Sequence, residues 1–175
     1  MLKKATAGNR QAQRAIYEKF APKMLSVCRQ YIKDVQFAED VMINGFVKVF
    51  KNLDAFEHRG SFEGWIRRIM IRESISYLRK KQFVVFDDEV FEKNESMVSE
   101  TSSILDMEYI QDLIDGLPEG YKMVFVLYAV EGYKHSEIAE ALGISESTSK
   151  SQLFKARKLL QRRLNAQNKT NYGTP

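Results

Sequence analysis

Trp65 is the single tryptophan of the chain, and Arg68, Arg72 and Arg79 follow it at spacings that return to one side of a helix. At 100° per residue the three arginines lie within about 40° of one another. An aromatic face beside aligned guanidinium groups suits an unpaired base, which stacks on the ring while its phosphate meets a cation. The preceding stretch, Asn52 to Arg59, is polar and aromatic and lacks the Pro or Asn-Gly of a tight turn. A single-strand or duplex-opening surface is the working expectation here. A core helix with a buried tryptophan and solvated arginines fits the same residues.

The second signal is HSEIAEALGISESTSKSQLFKARKLLQRRL, His135 to Leu164. Ser136 can cap a short helix with Ile138, Ala139 and Leu142 on its buried face, and Gly143 supplies a left-handed residue for the turn. Ser145 can cap a longer helix with Ser149, Leu153, Ala156, Leu160 and Leu164 inward. That is a helix-turn-helix. It leaves Ser147, Lys150, Ser151, Gln152, Lys155 and Arg157 outward, at the end that enters a major groove. Gln and Lys can address base edges, whereas Lys158, Arg162 and Arg163 suit phosphate.

Enzymatic chemistry finds no support in the sequence. Neither His58 nor His135 has a metal-ligand spacing, and there is no Gly-rich phosphate loop, nucleophile elbow or Cys pair. No cofactor or metal is expected. Cys28 sits in the apolar series Met24, Val27, Cys28, Tyr31 and reads as a small buried hydrophobe, which suits a reducing cytoplasm. No apolar run approaches the ~18 residues of a membrane span, and the N-terminus lacks the apolar region of a signal peptide, so no membrane insertion is expected.

At 175 residues, 44% apolar and 29% charged, the chain can bury a core in one domain or two small ones. Its net charge of +4 is unevenly spread. Residues 61–82 carry six basic and two acidic groups, 83–108 one and eight, and 146–169 seven and one. Two basic blocks separated by an acidic one suggest two nucleic-acid surfaces, joined by a segment that must not adhere to the same phosphates.

The elements that must position these residues are all helical. Ala12, Ala15, Ile16 and Phe20 precede Ala21-Pro22, and a second apolar series runs from Met24 to Ile32, which predicts a broken helical pair. Asp34 predicts a cap for a helix from Val35 to Leu53, with Met42, Phe46, Val49 and Leu53 buried and Glu39 and Asp40 in its first turn. Ser61 predicts a cap for Phe62 to Lys81, with Phe62, Trp65, Ile66, Ile69 and Met70 on one side. Phe83 to Ser103 reads as an acidic linker. A second helical unit starts at Ile104, with Leu105, Ile110, Leu113, Ile114 and Leu117 apolar, and continues in a central apolar helix from Tyr121 to Val130. The predicted layout is thus all-α: a helical bundle over 10–82, the linker over 83–103, a helix-turn-helix domain over 104–165 and a polar tail over 166–175.

In this order the chain resembles a bacterial RNA polymerase sigma factor of the extracytoplasmic-function group. AIYEKFAPKMLSVCRQYIKD, AEDVMINGFVKVFKNLDAF and SFEGWIRRIMIRESISYLRKK are similar to the pieces of that family's first domain, region 2. LPEGYKMVFVLYAVEGYKHSEIAEALGISESTSKSQLFKARKLL is similar to its second, region 4. The resemblance implies a first domain that reads and melts the −10 promoter element and a second that reads the −35 element. Asn52, Phe56 and Phe62 then fall in the loop that captures a flipped base, with Trp65, Arg68, Arg72, Ser76 and Arg79 on the helix beside it. Ala38, Glu39, Asp40, Asn44, Phe46 and Phe50 would grip the coiled coil of the polymerase's largest subunit. The helices between Ile104 and Val130 would dock the flap of the second-largest subunit, and the linker would thread near the active-site channel. An anti-sigma factor is a further implied partner.

Four positions depart from the family's pattern. Ile43-Asn44 stands where Gln-Glu is frequent, Arg72 replaces the usual Asn of the melting helix, and Ser149 occupies an inner position commonly filled by Val. The buried Ser149 hydroxyl is expected to bond back to a carbonyl one turn earlier. Two other readings fit the residues: a helix-turn-helix repressor or activator that works without polymerase, and a scaffold that uses only its helical surfaces.

Overall fold

Four side chains start the main helices by accepting a bond from the backbone N–H three residues ahead: Asn9 from Ala12 at 2.9 Å, Asp34 from Phe37 at 3.1 Å, Ser61 from Gly64 at 3.0 Å and Ser145 from Thr148 at 3.0 Å. Each satisfies a donor that the helix itself leaves open, worth about 1 kcal/mol. The computed structural model describes the backbone of residues 1–80 and 107–172, and the side chains of 1–80 and 109–166. The regular elements among the described residues are helical, and the chain divides into two units, Met1–Gln82 and Phe83–Pro175.

In the first unit a short α1 (Leu2–Thr6) precedes α2 (Arg10–Tyr31), α3 (Val35–Lys51), a 3₁₀ turn (Leu53–Ala55) and α4 (Phe62–Lys80). Helices α2, α3 and α4 pack against one another around Ile16, Met24, Val27, Met42, Phe46, Val49, Ile66 and Met70. Gly45 lets α3 and α4 approach closely, because a methyl group there would run into the Met70 thioether. The expected break at Ala21-Pro22 does not occur, and α2 runs through Pro22. Proline frees the carbonyl of Glu18, but Glu18 and Pro22 are both exposed, so water can satisfy it. Burial of Ile16 on one side of Pro22 and of Met24, Val27, Cys28 and Tyr31 on the other holds both halves on one core.

Helix α3 ends two residues before the expected Leu53, and Glu39 and Asp40 lie beyond its first turn. In α4 the buried side is Ile66, Met70, Ile71, Ser74, Ile75 and Leu78, with Phe62, Trp65 and Ile69 only half-buried at its margin. The apolar stripe is therefore rotated from the expected one, toward the side that meets both α2 and α3.

The second unit contains α5 (Met107–Asp115), α6 (Glu119–Phe125) continued by a π-helical turn (Val126–Val130), α7 (His135–Leu142) and α8 (Glu146–Tyr172). Leu117, Tyr121 and Ala156 form a core cluster with Phe125, Leu159 and Leu160 around it. Inside this apolar unit an ion pair is buried: Lys122 Nζ lies 2.7 Å from Asp115 Oδ1, and both side chains are 1% exposed. Arg163 is turned inward too, donating to the carbonyl of Gly116 at 2.9 Å and to that of Leu113 at 3.4 Å. It caps the C-terminus of α5 rather than standing free for phosphate as the sequence suggested. Helix α8 continues past residue 165 to Tyr172, where a polar tail was expected. The linker residues 83–103, together with Ile104 and Leu105, lie outside the described residues.

Candidate nucleic-acid interface

In the first unit the loop between α3 and α4 is built on an aromatic cluster. Phe56 is 8% exposed and packs against His58, Phe62 and Trp65, with ring centroids 4.8, 5.1 and 5.6 Å away. Phe62 stacks on Trp65 at 5.7 Å and 19°, and Phe20 of α2 closes the other side of Phe62. Phe56 is thus the floor of the loop and not a contact surface, which corrects the expectation that it meets a base. Phe62 and Trp65 remain partly accessible. His58 holds φ of 57° and Gly60 of 91°. A left-handed histidine is uncommon, and such backbone concentrates where a loop's shape serves a function.

Arg68, Arg72 and Arg79 are exposed, with Ser76 half-buried, so the aromatic patch opens onto a cationic helix edge. Asn52 is exposed, but its amide is committed, donating to the Lys48 carbonyl at 2.8 Å and closing the end of α3.

Helix α3 presents a separate face. Glu39, Asp40 and Asn44 are exposed, and Phe50 is half-buried. Ala38 and Phe46 are 0% and 2% exposed, so they belong to the core and cannot grip a partner. Ile43 and Val47 are exposed instead, within about 100° of Glu39, Asp40 and Phe50 on the helix surface. Sequence reasoning passed over this ridge because it counted Ile43 only as a departure from a pattern.

In the second unit α7 starts two residues earlier than a Ser136 cap would have it. Lys134 is the N-cap, its N–H donating to Glu137 Oε2 at 2.8 Å. Gly143, with φ of 68°, makes the turn as expected, and the N–H of Ile144 bonds the Ala139 carbonyl at 3.0 Å. Along α8, Ser147, Lys150 and Arg157 are exposed and Ser151 and Lys155 are half-buried.

Gln152 is fully buried, so it cannot address a base edge as expected. It falls about 70° from the centre of the stripe made by Ser149, Leu153 and Ala156, at the margin of the face that packs on α6 and α7. Phe154 was missed. It is 67% exposed and shares a sector of about 60° with Ser147, Ser151 and Lys158. A helical wheel of the sequence contains that signal, since a phenylalanine opposite the buried stripe has no intramolecular reason to be there.

Ser149 does not bond back along its own helix. Its Oγ and His135 Nδ1 share a hydrogen bond of 2.8 Å, linking the first turn of α7 to α8.

An apolar groove of about 460 Å³ opens elsewhere on this unit, lined by residues including Ile110, Leu113, Phe125, Val130, Leu160 and Leu164. Ile110, Val130 and Leu164 are exposed on it. Among the described residues no group of His, Cys, Asp and Glu could hold a metal ion, and no helix is long and apolar enough to cross a membrane.

Residues 16–84 match the family model of sigma-70 region 2, and residues 107–160 that of sigma-70 region 4. The chain is 25% identical over 176 residues to the ECF RNA polymerase sigma factor SigW of Bacillus subtilis, across 93% of this chain and 94% of the relative. The chain belongs to the extracytoplasmic-function sigma factors. It is also 29% identical over 132 residues to RNA polymerase sigma factor SigV of the same organism, across 75% of this chain and 78% of the relative. Two solved structures share the fold: RpoE with the anti-sigma factor NepR from Bartonella quintana (22% identity, 87% of this chain and 96% of that one, TM-score 0.56), and CnrH with the cytosolic domain of CnrY (20%, 94% and 95%, 0.51).

As a sigma factor the protein acts in transcription initiation by RNA polymerase. The aromatic loop, the cationic edge of α4 and the α3 ridge lie in its region 2. The helix-turn-helix and the apolar groove lie in its region 4.

Proposed function

We propose that this sigma factor divides promoter recognition between two surfaces: the half-open Phe62–Trp65 stack with Arg68, Arg72, Ser76 and Arg79 takes the melted −10 strand, and the outward face of α8 reads the −35 duplex. The observation that carries the first assignment is a stacked aromatic pair left partly uncovered beside three exposed arginines. Unstacking a base costs a few kcal/mol, and stacking returns about 1–3 kcal/mol per base. Asn52 closes α3 and shapes the loop, and Phe56 supports it from below.

On α8, Lys150, Lys155 and Lys158 supply cations for phosphate and base edges, and Ser147 and Ser151 supply hydroxyls. Phe154 offers an apolar contact of the kind that a thymine methyl group satisfies.

Polymerase binding is assigned to two apolar faces. The Ile43–Val47 ridge with Glu39, Asp40, Asn44 and Phe50 docks the coiled coil of the largest subunit, Ala38 and Phe46 only holding α3 in place. The groove around Ile110, Val130 and Leu164 docks the flap of the second-largest subunit. An anti-sigma factor that covers these faces is a further partner, and the protein works in the cytoplasm. The structural neighbour RpoE, solved with the anti-sigma factor NepR, supports the partner.

Core polymerase mixed with the purified chain tests this reading. It should start transcripts from specific sites on genomic fragments, and the chain alone should protect no site. A charge pair introduced as Ile43→Asp with Val47→Asp should abolish initiation by preventing assembly. Assembly unchanged by the double substitution would remove the ridge from the interface.

A further inference from the structure

Arg157 projects from α8 at the flank that faces the π-helical turn, and its guanidinium carbon sits 5.5 Å from the ring centroid of Tyr128. Tyr128 is half-buried and stacks on His135, centroid to centroid 4.7 Å and 24° from parallel. His135 in turn shares its hydrogen bond with the buried Ser149 hydroxyl on α8. The chain of contacts therefore leaves α8 at Ser149, crosses His135 and Tyr128, and returns to α8 at Arg157. Eight residues, about 12 Å of helix, separate the two anchor points. Few devices fix a side chain on an exposed helix face this way, because an arginine otherwise samples many rotamers in water.

We propose that Tyr128 is a positioning residue for duplex binding: stacked on His135 and locked to α8 through Ser149, it holds the Arg157 guanidinium over its ring and so presents it to DNA already ordered. This rests on the reading that the outward face of α8 binds the upstream promoter duplex. Ordering Arg157 beforehand removes part of the entropy that binding would otherwise cost. The aromatic face adds an attraction worth about a two- to fivefold change in an equilibrium at an exposed site. The platform also accounts for Ser149, whose hydroxyl serves His135 where an apolar residue would leave the imidazole without its partner.

The test is a double-mutant cycle on holoenzyme reconstituted from core polymerase and the full chain. The probe is a duplex that the wild-type holoenzyme has itself selected from a random-sequence pool. Arg157→Ala should weaken binding and lower the salt dependence by about one phosphate contact. Tyr128→Leu should weaken binding about two- to fivefold when Arg157 is present and leave it unchanged in the Arg157→Ala background. Tyr128→Phe, which keeps the ring, should bind as the wild type does.

Equal loss from Tyr128→Leu in both backgrounds would mean that the ring only stabilises the domain, and the positioning role would be overturned. So would Tyr128→Leu without effect while Arg157→Ala weakens binding. Arg157→Ala without effect, or failure of the holoenzyme to select any duplex, would instead overturn the underlying assignment of α8.

Discussion

Asp115 and Lys122 lie seven residues apart in a stretch that reads as apolar, and the structure places their charged atoms 2.7 Å apart with both side chains out of water. A buried pair contributes little against an apolar replacement, but breaking it strands a charge. Asp115→Ala should therefore destabilise the second unit by about 3–5 kcal/mol, while Asp115→Leu combined with Lys122→Met should be near neutral. Urea unfolding of the three proteins, followed by circular dichroism, measures the difference.

Cys28 has a different consequence. Burial pushes its thiol up to about 11 from an ordinary 9.0. Between those values the unfolded chain loses the proton and the folded chain keeps it, so the thiol's contribution to stability is whole below pH 9 and declines as pH rises toward 11. Replacing it by Cys28→Ala should flatten the stability profile over that window relative to the wild type. An unchanged slope would remove Cys28 from the titration.

At the scale of elements, three helix starts were legible because Asp and Ser caps act locally: Asp34, Ser61 and Ser145 cap where the sequence places them, whereas α7 starts on Lys134 and not on Ser136. Tertiary effects were less legible. Pro22 reads as a break, yet α2 passes through it because the core on either side outweighs one lost backbone bond. Pro22→Ala restores that bond on an exposed face and should raise the unfolding midpoint of the first unit, by at most ~3 kcal/mol in stability. A lowered midpoint would show that proline's stiffening of the unfolded chain dominates.

The helix-turn-helix was legible from Gly143 and the buried stripe of α8. Individual side chains on it were harder, because a wheel cannot tell which flank its neighbours cover. Gln152 and Arg163 turned inward on that account, and Phe154 stayed out. The same limit applies to α3, where Ala38 and Phe46 proved to be core and Ile43 and Val47 surface. The Lys122 pair and the His135–Ser149 bond join separate elements, and nothing in local spacing announces them.

At the scale of the molecule, basic stretches at 61–82 and 146–169 flank the acidic 83–108, and both basic helices expose residues suited to nucleic acid. In the proposed reading each of these helices works beside an apolar face that polymerase covers, the Ile43–Val47 ridge in one unit and the groove around Ile110 in the other. Promoter selection is then expected of the assembled enzyme and not of the free chain.

Permanganate reactivity of promoter thymines in the holoenzyme complex reports whether the Phe62–Trp65 stack receives the melted strand. Trp65→Ala should reduce strand opening about tenfold while binding to core polymerase stays at the wild-type level. Opening that persists at the wild-type level, or core binding that falls in step with it, would contradict the account.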